Sequence, residues 1–290
     1  MILDLHTHTM YSYDAEHQPV AAHVQSAVQK HVDVLGFTDH VEFFLRETVQ
    51  KSDFSADTVD FEGYRKEVEP FRRGRVIPAD LTAQQNDIEA CRERYPMITL
   101  RSGVEMGQPH AAPELADAML EQYHFDYVIG SIHQLSDDMD MYFLRYENIH
   151  PDDFWKAYFD EMQHMLAYGR FHILGHIDYP LRIMKLPHNR PSLRGYMDYV
   201  DAVLREIRDR GIALESNAKG ILGWQQQPGP EDFILQRYHE LGGELITVGS
   251  DSHAPETIAR GIPEAVKRIQ QAGFRYLTDF ADGVPIQHTI

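Results

Sequence analysis

The sequence predicts an α/β protein whose parallel strands close into a seven-stranded, TIM-like (β/α)7 barrel, on three observations. Seven short apolar runs alternate with segments of helical spacing, the order that right-handed crossovers between parallel strands require. No Gly/Ser linker, internal repeat or low-complexity tract interrupts them, which favours a closed barrel over an open sheet. The length of 290 residues suits a single barrel spanning 1–290.

Each element rests on its own signal. Strands are read at 2–5, 34–37, 98–104, 127–132, 173–174, 212–214 and 245–248. The first helix, at 20–31, repeats apolar residues at Ala21, Val24, Ala27 and Val28. Segments 113–122, 151–168, 230–241 and 255–272 each begin with a proline, which suits a first helical turn. The segment 191–210 opens with Pro-Ser and carries Met197, Val200, Val203, Leu204 and Ile207 at helical spacing. Residues 41–75 are polar, aromatic-rich and without a period. They read as an insertion after the second strand, either covering that end of the barrel or running over the surface without a role. Residues 278–290 read as a loose tail.

Composition narrows the function classes. Hydrophobic residues make up 43% of the chain, enough for a buried core. The formal charge of −18 counts against a nucleic-acid scaffold or an anionic membrane as partner. No run of apolar residues is long enough to span a bilayer, and the N-terminus lacks the pattern of a secretory leader. A lone cysteine, Cys91, fits a reducing cytoplasm and excludes a thiolate metal cage. The chain has 17 histidines, so any metal must be held by imidazole and carboxylate.

The residues that follow each strand carry the chemistry. After the first come His6, His8 and Asp14, and after the second Asp39 and His40. Glu105, His133 and His176 end the third, fourth and fifth; Glu215 and Asn217 end the sixth, and Asp251 and His253 the seventh. In a parallel barrel these ends open on one face, where active sites assemble. Alone, each piece has a plainer reading: His6 and His8 as solvated side chains, Asp39 as a helix cap, His133 and His176 as hydrogen-bonded core histidines. Glu105 ends a nearly apolar strand with only Arg101 near it in sequence, so a metal is the better partner. Together His6, His8, Asp14, His40, Glu105, His133, His176, Asp251 and His253 are nine candidate ligands, too many for one ion and suited to two or three. Paired ions about 3.5–4 Å apart clamp the attacking and leaving oxygens of a phosphoester and generate hydroxide at neutral pH. His17, His23, His31, His110, His124, His150, His164, His172, His188, His239 and His288 lack this placement and read as solvated or packing residues.

On these motifs the chain resembles the PHP (polymerase and histidinol phosphatase) superfamily, and within it the histidinol-phosphate phosphatases. The motifs are HTHTMYSYD at 6–14, GFTDH at 36–40, GVE at 103–105, GSIH at 130–133, GHIDYP at 175–180, ESNAKG at 215–220 and GSDSH at 249–253. The resemblance implies a distorted barrel with a three-metal centre at the strands' C-terminal ends. His6, His8, Glu105 and Asp251 would hold one ion, with Glu105 bridging to a second on His133 and His176. Asp14, His40 and His253 would hold the third. Many members have histidine where this chain has Asp14, and a carboxylate there favours harder ions such as Mn(II) or Fe(II); two or three divalent ions are expected, zinc, manganese or iron.

The expected activity is hydrolysis of a small phosphorylated metabolite, L-histidinol phosphate first. Asp251 or His253 is placed to protonate the leaving alkoxide. Asp39, Asp178 and Asn217 are expected to orient ligand histidines. Arg182, Lys219 and Arg145 are candidates for binding phosphate oxygens, or else plain surface charges. Three other readings stand beside this one: a phosphodiesterase or nuclease on small nucleotides, an amidohydrolase, and a metal-binding protein without activity. An amidohydrolase would usually carry a lysine or glutamate ligand after the fourth strand, where this chain has His133.

Overall fold

Each of the seven apolar runs forms a strand, and the strands lie side by side in chain order. The structure, a computed structural model, describes residues 1–184, 191–223 and 225–290. In chain order its elements are β1 (Leu3–Asp4), α1 (Val20–Gln29), β2 (Val34–Phe37), β3 (His40–Phe43), α2 (Phe61–Glu67), β4 (Val76–Ile77), α3 (Leu81–Arg94), β5 (Thr99–Gly107), α4 (Pro113–Gln122) and β6 (Tyr127–Ser131). There follow α5 (Pro151–Tyr168), β7 (Ile173–Leu174), α6 (Tyr179–Ile183), α7 (Met197–Arg210), β8 (Ala213–Asn217), α8 (Asp232–Glu240), β9 (Ile246–Gly249), α9 (Ile262–Gln271), β10 (Tyr276–Ala281) and β11 (Val284–Thr289).

The path β1-β2-β5-β6-β7-β8-β9 is parallel throughout. Past their ends β9 and β1 meet: Leu5 N–H donates to Val248 O at 3.0 Å and Asp251 N–H to His6 O at 2.8 Å, with a parallel bridge between Thr7 and Ser252. The fold is therefore an α/β TIM-like barrel nearly closed on itself. Each strand is buried on both faces, by helices outside the barrel and by the strands' own side chains within it, so the strands read as continuous runs rather than alternating ones. Gly249 is required where the ends meet, since a Cβ there would collide with the His6 side chain.

The structure departs from the sequence reading in four places. The second strand does not stop at 37. It bends at Thr38-Asp39 and continues as β3, so that β2 pairs with the first half of β5 and β3 with the second, placing His40 opposite Glu105. Residues 41–75 thus begin inside the sheet, and the remainder has its own core of Phe44, Val49, Val59, Phe61, Tyr64 and Val68 under Phe143. The tail at 278–290 is not loose: β10 and β11 form an antiparallel hairpin with Leu277 and Phe280 buried. Its turn is Asp282-Gly283, both at positive φ, a strong short-range hairpin signal in sequence. Helix α3 was missed because its buried face is only Leu81, Gln84, Ile88 and Cys91; the Asp80 carboxylate caps it at Ala83 N–H. Finally, Pro113 and Pro151 do open helices, whereas Pro191 and Pro230 precede theirs and Pro255 starts a separate 3₁₀ turn. Among the described residues no helix is long and apolar enough to cross a membrane. His188 lies outside them.

Candidate metal centre

The bend between β2 and β3 and the closure between β9 and β1 bring the strand ends around one residue, Glu105. It is fully buried near the end of β5, and each carboxylate oxygen faces a different group of imidazoles. Oε2 lies 2.9 Å from His6 Nε2, 3.2 Å from His40 Nδ1 and 3.5 Å from His8 Nε2. Oε1 lies 2.8 Å from His176 Nε2 and 3.3 Å from His133 Nε2, and accepts from Ser131 Oγ at 2.5 Å. Burial alone would raise its pKa, but His6, His40 and His133 hold it well below the usual carboxylate range.

The imidazoles are held from behind. His6 Nδ1 meets Glu215 Oε1 at 2.6 Å, and the other Glu215 oxygen accepts from His176 N–H at 2.7 Å. His133 Nδ1 meets Glu42 Oε1 at 2.9 Å, the same oxygen that lies 3.3 Å from His40 Nδ1, while Gln108 Nε2 donates to Glu42 Oε2 at 3.0 Å. His8 has a longer chain of support. Ser12 Oγ donates to Asp39 Oδ1 at 2.9 Å, so its oxygen accepts from His40 N–H at 3.0 Å and from His8 Nδ1–H at 3.2 Å. That arrangement leaves the lone pair of His8 on Nε2, a buried atom that makes no hydrogen bond and lies between Glu105 (3.5 Å) and Asp251 Oδ1 (3.4 Å). Burial, then the charges of His40 and His253, push the His8 pKa well down and favour its neutral, ligating form.

The far side of the centre is built on β9. Asp251 adopts the left-handed region at φ +52°, a conformation that aspartate tolerates better than most residues and that clusters at functional sites. Its Oδ2 accepts from Arg182 Nη1 at 2.7 Å and Asn217 Nδ2 at 3.1 Å. Burial would raise its pKa, but Lys219 and Arg182 hold it well below the usual range. Lys219 Nζ donates to Asp251 O at 2.6 Å and contacts His253 Nδ1 at 2.7 Å. His253 Nε2 lies 3.1 Å from Asp14 Oδ2, which is 3.7 Å from His40 Nε2.

All nine sequence-predicted ligands therefore converge. The supporting roles differ from expectation. Asp39 touches no ligand histidine and acts through Ser12; it also binds Thr9 and Gln84 Nε2. Asp178 precedes α6 without capping it, and its carboxylate lies beside Gly229 rather than against a ligand histidine; burial raises its pKa to about 6. Asn217 binds Glu215, Asp251 and Arg182 rather than an imidazole. Arg145 is exposed, lies outside the pocket, and its backbone N–H pairs with Thr58 O; it has no place among phosphate-binding groups. Arg182 and Lys219 do line the pocket. The sequence reading missed Glu42, which falls just inside the apparent insertion, and gave Glu215 no role of its own.

The cluster opens into a cavity of about 550 Å³, walled by Tyr13, Asp140, Tyr142, Phe143 and Tyr179 as well as by Glu67 and Val68 from α2 and its end. Burial raises the Asp140 pKa to about 7. Four trios of nitrogen and carboxylate donors around Glu105 lie within ligating distance of one another: His6, His8 and Asp251; His6, Glu105 and His176; His40, Glu42 and His133; and His8, His40 and His253. For bonds of about 2.0–2.1 Å in tetrahedral geometry, ligand atoms stand roughly 3.3 Å apart, close to the 2.8–3.5 Å separations around Glu105. The donor set fits divalent ions.

Such a face defines a metal-binding α/β barrel. The chain belongs to the PHP domain family, whose model matches residues 4–219. It is 27% identical to a probable histidinol-phosphatase of Thermotoga maritima over 278 residues, 95% of this chain and 94% of that one. A probable histidinol-phosphatase of Clostridium acetobutylicum is 33% identical over 180 residues, 60% of this chain and 68% of its own. In fold the chain is similar to histidinol phosphate phosphatase from Lactococcus lactis, solved with zinc, L-histidinol and phosphate, at a TM-score of 0.76 over 98% of both chains with 21% identity.

Proposed function

We propose that the chain is a metal-dependent phosphomonoester hydrolase, a cytoplasmic enzyme that converts L-histidinol phosphate to L-histidinol and phosphate. The observation that carries the reading is the buried Glu105 shared between two groups of imidazoles, the donor arrangement of a centre of more than one ion. The relatives' names supply the substrate. His6, His8, Glu105 and Asp251 would hold one ion, Glu105, His133 and His176 a second, and Asp14, His40 and His253 a third, with zinc, manganese or iron as the metal. When bound, the ions supply a nucleophile at neutral pH and neutralise charge on the phosphoryl oxygens.

The chain's own residues do the rest. Glu215, Glu42 and Ser12 orient the ligating rings, each holding one ring nitrogen so that the other faces the centre. Arg182 and Lys219 bring two cations to the lining of the pocket, where they would meet a phosphate's oxygens. Of the two candidates for protonating the departing alkoxide, Asp251 is held ionised by Lys219 and Arg182, which leaves His253, beside Lys219, as the donor. Tyr13 and Tyr179 offer ring faces for an imidazole, and Asp140 and Glu67 suit a substrate with an ammonium group. The chain acts as one domain, with 41–75 as the wall of its pocket.

Turnover of L-histidinol phosphate is compared with that of a nucleotide monophosphate, a phosphodiester and an amide panel, on protein loaded with each metal. Preference for histidinol phosphate by at least an order of magnitude in kcat/KM is expected. Faster turnover of the diester or an amide would overturn the assignment.

A further inference from the structure

Three residues away from the strand-end centre form a second group of metal donors. Glu161 and His164 stand at i and i+3 on α5 and so share a helical face. His110, in the 3₁₀ turn at Pro109–Ala111 that follows β5, faces them. His110 Nε2 lies 2.8 Å from Glu161 Oε2, and His164 Nδ1 lies 4.0 Å from Glu161 Oε1. None of the three lines the catalytic pocket. We propose that His110, Glu161 and His164 form a separate divalent-metal site, of the zinc class, that ties the turn after β5 to α5.

The chemistry follows from charge and reach. Glu161 is largely buried, and among the described residues its ion-pair partners are these two histidines, with no lysine or arginine. A carboxylate so placed needs a positive partner, and an ion between three donors satisfies it better than a neutral imidazole does. The two separations of 2.8 and 4.0 Å bracket the roughly 3.3 Å between donors of a tetrahedral zinc site. The longer one involves His164, whose side chain is 68% exposed and free to turn inward. Two imidazoles and a carboxylate leave water as the fourth ligand.

The site is also a weak one. His110 Nδ1 is buried and makes no hydrogen bond, so a ring ligating through Nε2 has no acceptor for its second N–H. Absence of that outer partner costs about 10–100-fold in affinity. The site therefore fills only after the strand-end centre is saturated. Its filling would brace the segment that includes Gln108, which holds Glu42 and the backbone N–H of Gln134.

The test is zinc uptake by the metal-loaded protein. Wild type and His164→Ala are dialysed against buffered zinc raised into the micromolar range, with bound zinc counted by mass spectrometry and the thermal midpoint followed in parallel. Wild type takes up one more equivalent than His164→Ala, its midpoint rises with that uptake, and the variant's turnover is unchanged. Because His164 is exposed, the substitution leaves the fold intact; Glu161→Gln is the second variant and loses the same equivalent. Equal zinc counts in wild type and His164→Ala, or an equal thermal response, overturn the proposal. The readout is a difference between two proteins of the same turnover, so it stands apart from which phosphate ester the enzyme uses.

Discussion

At the scale of single residues, the charge of Glu105 and the hydroxyl of Ser12 do different work, and two substitutions separate them. Glu105 faces five imidazoles, so Glu105→Gln removes the anion that faces all five rings. Activity should fall by more than the roughly 10–100-fold that loss of an outer partner costs, with fewer metal equivalents bound. Full activity with metals present would exclude the shared-carboxylate arrangement. Ser12→Ala leaves every proposed ligand in place but takes away the acceptor of His8 Nδ1–H and of His40 N–H. His8 is then free to change tautomer or tilt. Metal affinity, read by competition with a chelator, should drop by about 10–100-fold while kcat at saturating metal stays near wild type. An unchanged affinity would mean that Asp39 and Ser12 merely fill space.

At the scale of elements, the β10–β11 hairpin closes the end of the barrel opposite the metal centre. Arg101 enters β5 from that end and makes a two-pronged contact with Asp279, through Nε at 3.2 Å to both carboxylate oxygens and Nη2 at 2.7 Å. Phe280 packs between Tyr127 and His172, and Gly283 N–H bonds Asp126 O just before β6. Asp279→Ala leaves the mostly buried Arg101 guanidinium uncompensated and should cost about 3 kcal/mol. The denaturant midpoint should fall with its slope unchanged, and kcat should hold, because this face of a barrel serves stability. Loss of kcat at unchanged midpoint would contradict that division. The same elements show what was legible in sequence. Apolar runs such as those of β2 and β6 mark themselves, because strands covered on both faces need no alternation. Ligand positions were legible for a related reason: a parallel barrel sends every strand end to one face, so His6 and Asp251 could be placed together without knowing any distance. Partnerships across strands were not. Glu42 meets His133 only because β3 extends β2 alongside the second half of β5, a register that no local pattern encodes. Asp178 follows a strand as promisingly as Asp39 does, yet its carboxylate lies buried beside Gly229, away from the ligand histidines. The hairpin was the avoidable miss, since Asp282-Gly283 announces it.

At the scale of the molecule, stability and metal content should be coupled. The centre of the barrel's open end gathers the buried carboxylates Glu42, Glu105, Glu215 and Asp251 around His6, His8, His40, His133 and His176. Without ions this cluster must balance itself by protons. His40 is an example: burial would lower its pKa, but Asp14 and Glu105 raise it to about 9, so it carries a proton that a ligand must release. Bound ions replace those protons, and they bind the folded chain rather than the unfolded one. Each ion present at about 1,000 times its dissociation constant adds about 4 kcal/mol of stability. Two such ions, at about 2–4 °C per kcal/mol for a domain of this class, imply a thermal midpoint roughly 16–32 °C lower after chelation. Re-adding zinc or manganese should restore the midpoint and activity together, since the same nine side chains are proposed to serve both. A chelated protein that melts at the temperature of the loaded one would show that the cluster is held by its own hydrogen bonds and not built around metal.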